Sequence, residues 1–104
     1  MLFENLKIRD VNLKNRVVVS PMCQYSAKDG YIQTHHKTHY GQLAMGGAGL
    51  IFLEATGVTA QGRITNGCLG IWDDKQIDGL REITQSIKIL GSIPAIQLGH
   101  AGQK

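Results

Sequence analysis

Three short apolar runs separated by two helical stretches constrain this chain more than any other feature. Arg16-Val17-Val18-Val19 is a β-branched run stopped at Ser20-Pro21, because proline has no N–H to give a ladder. Gly49-Leu50-Ile51-Phe52-Leu53-Glu54-Ala55 and Ile93-Pro94-Ala95-Ile96-Gln97-Leu98 are the second and third runs. A continuous apolar run bounded by turn residues is the pattern of a strand buried on both faces. Between the first two, Thr34 is placed to cap a helix from about His35 to Met45, with Gly46-Gly47 as its stop. Before the third, a glycine-punctuated loop from Gly57 to about Trp72 leads to Asp73 or Asp74 as a helix cap. In the helix that follows, Ile77, Leu80, Ile83, Ile87 and Leu90 recur at steps of 3, 3, 4 and 3, a single apolar stripe, and Gly91 ends it. Leu6 to Leu13 alternates around Arg9-Asp10 and reads as a leading hairpin.

Strands joined by helices run parallel with right-handed crossovers, so the expected architecture is α/β. Parallel sheets offer ligands the space beyond the carboxyl ends of their strands. Three segments are therefore expected on one face: Ser20 to Tyr25, Glu54 to Thr56, and Gln97 to His100. Composition narrows the function. With 42% apolar and 18% charged residues the chain is an ordinary folded one, and 104 residues suggest a single domain. The net charge of +3 is spread without a Lys/Arg run, which argues against a nucleic-acid partner. No apolar stretch approaches the ~20 residues of a membrane span, and the first ten residues do not form a signal peptide. Cys23 and Cys68 are too few and too far apart for a zinc ribbon or a disulfide framework, which suggests a reducing cytoplasm.

Candidate chemistry concentrates at the strand ends. Cys23 reads either as a small buried hydrophobe or as a thiol aimed at a ligand, and Tyr25 as a loop aromatic or a phenol donor. Gln97 offers two donors and one acceptor, suited either to a structural bond or to the edge of a planar heterocycle. His35 and His39 share a helical face, but the neighbour of His35 is His36 where zinc motifs carry Glu, so no metal is expected. Gly46-Gly47-Ala48-Gly49 precedes a strand rather than following one, so it is not a dinucleotide fingerprint, and there is no Walker loop. Asp73, Asp74 and Asp78 read as N-terminal helix charges.

These residues together resemble a known family. Leu13-Lys14-Asn15-Arg16-Val17-Val18-Val19-Ser20-Pro21-Met22-Cys23 resembles the first strand of the old yellow enzymes, more narrowly the bacterial subgroup with Cys after Ser-Pro-Met. The resemblance continues through His39-Tyr40, Gly49-Leu50-Ile51 with Glu54-Ala55, Gln61-Gly62-Arg63, Leu69-Gly70-Ile71-Trp72, and Gln97-Leu98-Gly99-His100-Ala101-Gly102, over nearly the whole chain. It implies a (β/α)₈ TIM barrel carrying flavin mononucleotide (FMN), with NADPH or NADH as reductant and an activated C=C bond, such as that of an enone, as hydride acceptor. It implies that Ser20, Pro21, Met22 and Cys23 line the flavin, with the Cys23 thiol tuning its redox behaviour. Ala55 would contact FMN, Gln97 would bond its pyrimidine edge, and Tyr25 would face the substrate and orient its carbonyl. Two positions depart from the family pattern: Gln103 and Leu43 stand where arginine is frequent.

A barrel of this kind needs roughly 250 residues. The chain is therefore expected to be the N-terminal portion, a hairpin and about three βα units within 1–104, of a flavin oxidoreductase barrel. It is expected to be inactive alone and homo-oligomeric in its full-length form, with small molecules as partners. The rival expectation is a non-catalytic partial barrel that self-assembles or pairs with another chain. Three open strands would leave an unpaired edge and one sheet face incompletely covered.

Overall fold

The computed structural model, which describes residues 1–102, opens with the expected hairpin: β1 (Leu6–Ile8) pairs antiparallel with β2 (Val11–Leu13), Leu6 opposite Leu13. Arg9 at φ +52° turns the chain between them. The first buried-strand candidate becomes β3, and only Val18–Val19 joins a ladder. Its expected burial on both faces is not observed. Val17 and Val19 pack on the core while Val18, pointing the other way, is 50% exposed. The reason is that β3 borders the sheet, with β4 as its only partner among the described residues.

Helix α1 (Thr34–Met45) begins one residue earlier than expected, and its cap is Gln33 rather than Thr34. The cap works in reverse: the Gln33 backbone N–H donates to His36 Nδ1 at 2.9 Å, so the third helical residue closes the turn. The Gly46-Gly47 stop is in place, with Gly47 at φ +97°. Strand β4 (Leu50–Gly57) is the centre of the sheet. The glycine-punctuated loop holds an element the sequence pattern did not announce: β5 (Leu69–Gly70), parallel to the end of β4. Asp73 Oδ1 accepts from the Lys75 N–H at 2.9 Å, capping a 3₁₀ turn (Asp74–Gln76) that leads into α2 (Ile77–Ile89). Gly91 at φ +93° ends that helix and releases the chain into β6 (Ile93–Gly99).

All three ladders on β4 are parallel, as the alternation of elements required. β6 occupies one edge of β4 along its length, while β3 and β5 share the other, at its start and its end. Both helices pack on one face. Tyr40 and Ala44 of α1, Ile51 and Leu53 of β4, and Leu80, Ile83 and Ile87 of α2 form one buried cluster. The inner members of the α2 stripe are buried, whereas its ends, Ile77 and Leu90, are 36% and 42% exposed. The outer edge of β6 pairs with nothing among the described residues. No helix among them is long and apolar enough to cross a membrane.

One irregularity sets the phase of the central strand. Leu53 stands opposite Ile96 and Ala55 opposite Gln97, so Glu54 is an extra residue, a β-bulge. Strict alternation would put Ala55 on the helix-covered face with Ile51 and Leu53. The extra residue turns it to the opposite, open face.

Candidate functional site

Parallel pairing gathers the carboxyl ends of β4 and β6 at one end of the sheet, and there the bulge matters. Ala55 and Gln97 are direct cross-strand partners on the wall of an open cleft of about 230 Å³. The rest of its wall is mostly small: Thr56, Gly57, Gly62, Ile64, Leu98, Gly99, His100 and Ala101. The Gln97 side chain is exposed and makes no hydrogen bond to protein among the described residues, so its donors and acceptor face the opening. The loop after β4 closes the rim. The Val58 N–H donates to the Gly99 carbonyl at 3.2 Å and the Ala101 N–H to the Gly62 carbonyl at 2.7 Å.

Ser20, Pro21, Met22 and Cys23 leave the sheet on the other edge of β4, where β3 ends opposite Ile51. They do not line the Ala55–Gln97 cleft. Ser20 and Met22 are exposed, Pro21 and Cys23 half-buried. The loop is stitched by Gln24: its Nε2 donates to the Met22 carbonyl at 3.0 Å, and its Oε1 lies 2.9 Å from His35 Nε2 on α1. Tyr25 holds φ +53°, a left-handed conformation uncommon outside glycine. Gly67 keeps it there. A Cβ on Gly67 would stand 2.7 Å from the Tyr25 carbonyl oxygen, and the Ala27 N–H donates to the Gly67 carbonyl at 3.0 Å. Tyr25 is 57% exposed. The neighbouring Cys23 charge is the main cause that pushes the phenol above its ordinary value of 10.0. Cys23 and Tyr25 thus form one group, Ala55 and Gln97 a second.

Sequence reasoning assigned no role to three buried residues beside these groups. The Tyr40 hydroxyl donates to Glu54 Oε2 at 2.7 Å and accepts from the Glu54 backbone N–H at 2.8 Å. His36 Nε2 lies 3.7 Å from Glu54 Oε1 and is the one buried side-chain nitrogen or oxygen among the described residues without a hydrogen-bond partner. Since His36 Nδ1 accepts from Gln33, the neutral ring carries its proton on Nε2, facing Glu54. Burial raises the Glu54 carboxyl above its ordinary pKa, against the opposing pull of the Tyr40 hydroxyl and the Gln24 backbone amide. Burial likewise raises Tyr40 and, with the neighbouring His35 charge, lowers His36. The signal was present in the sequence: a carboxylate inside an apolar strand must find a buried partner.

His35 and His39 do share a face, stacked at 5.9 Å. No cluster of three or more His, Cys, Asp or Glu able to hold a metal occurs among the described residues. Leu43 packs against the core, which accounts for an apolar residue at that position; Gln103 lies outside the described residues.

A family profile described as NADH:flavin oxidoreductase / NADH oxidase matches residues 1–104. The chain is 56% identical over 105 aligned residues to the NADPH dehydrogenase of Bacillus licheniformis, an alignment covering 99% of this chain and 31% of that protein. It is 53% identical to the NADPH dehydrogenase of Geobacillus thermodenitrificans, over 100% of this chain and 31% of that protein. Morphinone reductase superposes with TM-score 0.89 at 33% identity, covering 97% of this chain and 26% of the reductase. The old yellow enzyme homologue of Zymomonas mobilis superposes at 0.86 with 31% identity, over 95% of this chain and 28% of that one. The chain therefore spans under a third of the length of these relatives.

Proposed function

The chain belongs to the NADH:flavin oxidoreductase / NADH oxidase family, and from that premise we propose that it forms one wall of the FMN site of an NAD(P)H-dependent ene-reductase. Its architecture is the α/β parallel-sheet part of the TIM barrel of the old yellow enzymes, without closure of the barrel. The observation that carries the proposal is the pairing of Ala55 with an exposed Gln97 carboxamide, unbonded to protein among the described residues, at the carboxyl end of the sheet. A planar heterocycle with donor and acceptor edges fits that wall. Ala55 and the neighbouring glycines leave room for a ring, and Gln97 offers donors and an acceptor to its edge. When bound, FMN supplies hydride chemistry between NADPH or NADH and an activated C=C bond.

The protein's own groups bind and orient. Backbone of Ser20, Pro21 and Met22 and the Cys23 thiol border the flavin from the β3 side. Tyr25, neutral and exposed, donates to the carbonyl oxygen of an enone-type substrate. Activity belongs to the whole protein, in a reducing cytoplasm consistent with the free thiols of Cys23 and Cys68 and as a homo-oligomer; this segment alone does not turn over. Titration of the whole protein with FMN, followed by flavin fluorescence, tests the reading. Gln97→Leu weakens binding about tenfold, the value of one or two lost hydrogen bonds. Unchanged affinity would contradict the assignment.

A second reading has its own observation. The open edge of β6 lies beside an apolar groove of about 220 Å³ lined by Leu53, Ile71, Leu80 and Ile96 among others, a surface that self-assembly would cover. A defined oligomer of colourless chain in light scattering would favour it.

A further inference from the structure

We propose that Tyr40 and Glu54 are positioning residues for the cofactor wall: together they pin the β4 bulge that turns Ala55 toward the cleft. The inference rests on the FMN reading of that cleft. A bulged residue loses its regular ladder partners and needs others. At Glu54 side chains supply them. The Tyr40 hydroxyl takes the backbone N–H at 2.8 Å, and the Thr56 Oγ1 donates to the backbone carbonyl at 2.9 Å. The same Tyr40 hydroxyl donates to the carboxylate at 2.7 Å, so one phenol on α1 grips both the backbone and the side chain of the extra residue. All three residues are buried, at 2% exposure or less. A carboxylate held there has a geometric use. The grip fixes which residue is the extra one, and so fixes that Ala55, not Glu54, stands opposite Gln97. A slip of one residue would reverse the side chains of the strand end, sending the carboxylate into the cleft. His36 Nε2 on the same helix stands 3.7 Å from the second carboxylate oxygen, too far for a hydrogen bond, so the grip rests on Tyr40 and Thr56.

The test compares wild type, Tyr40→Phe and Glu54→Gln in the whole protein, with two readouts: FMN affinity by fluorescence titration, and the residue opposite Gln97 in crystal structures. Tyr40→Phe strips the bulge of its grip and should weaken FMN about ten- to hundredfold, with the Ala55–Gln97 pairing lost. Glu54→Gln keeps an oxygen to accept from Tyr40 and should stay within about threefold of wild type. A Tyr40→Phe protein that keeps the pairing and binds FMN like wild type overturns the positioning role. Should that variant not fold, Glu54→Ala decides instead. It retains the backbone bond to Tyr40 but loses the carboxylate, so a several-fold loss supports the role and wild-type affinity overturns it. Wild-type protein that binds no FMN overturns the cofactor reading and the positioning role with it. Wild-type protein that binds FMN while Tyr40→Phe binds it equally well overturns the positioning role alone.

Discussion

Two residues show how much a single side chain, or its absence, decides here. Gly67 lies against the left-handed backbone of Tyr25, so Gly67→Ala must displace that backbone. We expect a loss of roughly 1–3 kcal/mol, read as a lower urea midpoint. His36 governs behaviour in acid. Its ring already carries a proton on Nε2, so charging it means protonating Nδ1 and losing the bond from Gln33 that caps α1. The folded-state pKa lies below the ordinary 6.5, so the folded state resists a proton that the unfolded chain accepts. Stability is then full above about pH 6.5 and falls as pH drops from there toward the lowered value. His36→Asn, whose Oδ1 can take the Gln33 N–H, should flatten that decline in thermal melts between pH 7 and 5, leaving the share due to His39, which is lowered by burial as well. Glu54 has the opposite sign: its raised pKa costs stability as pH climbs from about 4.5 through the folded value. The positions of Ala55 and Gln97 at strand ends were legible from the pattern alone. The grip on Glu54 was not, because it joins residues 14 apart in sequence through a bulge that no periodicity announces.

At the scale of elements, legibility followed the strength of the apolar pattern. The inner α2 stripe is legible because Leu80, Ile83 and Ile87 all face the core, while Ile77 and Leu90 at its ends are exposed. Ile83→Ala should cost about 2–5 kcal/mol in urea unfolding, the usual penalty for a buried cavity. Asp73→Ala, which removes a cap on an exposed turn, should cost only about 0.5–2 kcal/mol. Helix α1 carries polar residues such as His35, Lys37 and Gln42 around most of its surface, so its ends rather than its stripe located it. Its cap was misplaced because a Gln33–His36 pair does the work usually left to Ser, Thr, Asp or Asn. Strand β5 escaped notice because two residues, Leu69 and Gly70, show no alternation, and their pairing with Thr56 and Gly57 comes from the fold around them. The β3 run promised burial on both sides. It received one covered face, since local pattern reports what a strand can bury and only the neighbouring elements determine what it does bury.

The whole molecule is a three-wide parallel sheet with helices on one face and the carboxyl ends of its strands open, spanning 31% of the length of its NADPH dehydrogenase relatives. The Ser20–Tyr25 group leaves the sheet from the β3 edge of β4, and the Ala55–Gln97 pair lies on its β6 edge. The proposed occupant of the Ala55–Gln97 wall is FMN. The most direct measurement is the visible absorption spectrum of the purified whole protein after free flavin has been removed by gel filtration. Flavin bands at about one FMN per chain are expected, weakened in Gln97→Leu. A colourless wild-type protein, even after incubation with excess FMN, would contradict that assignment.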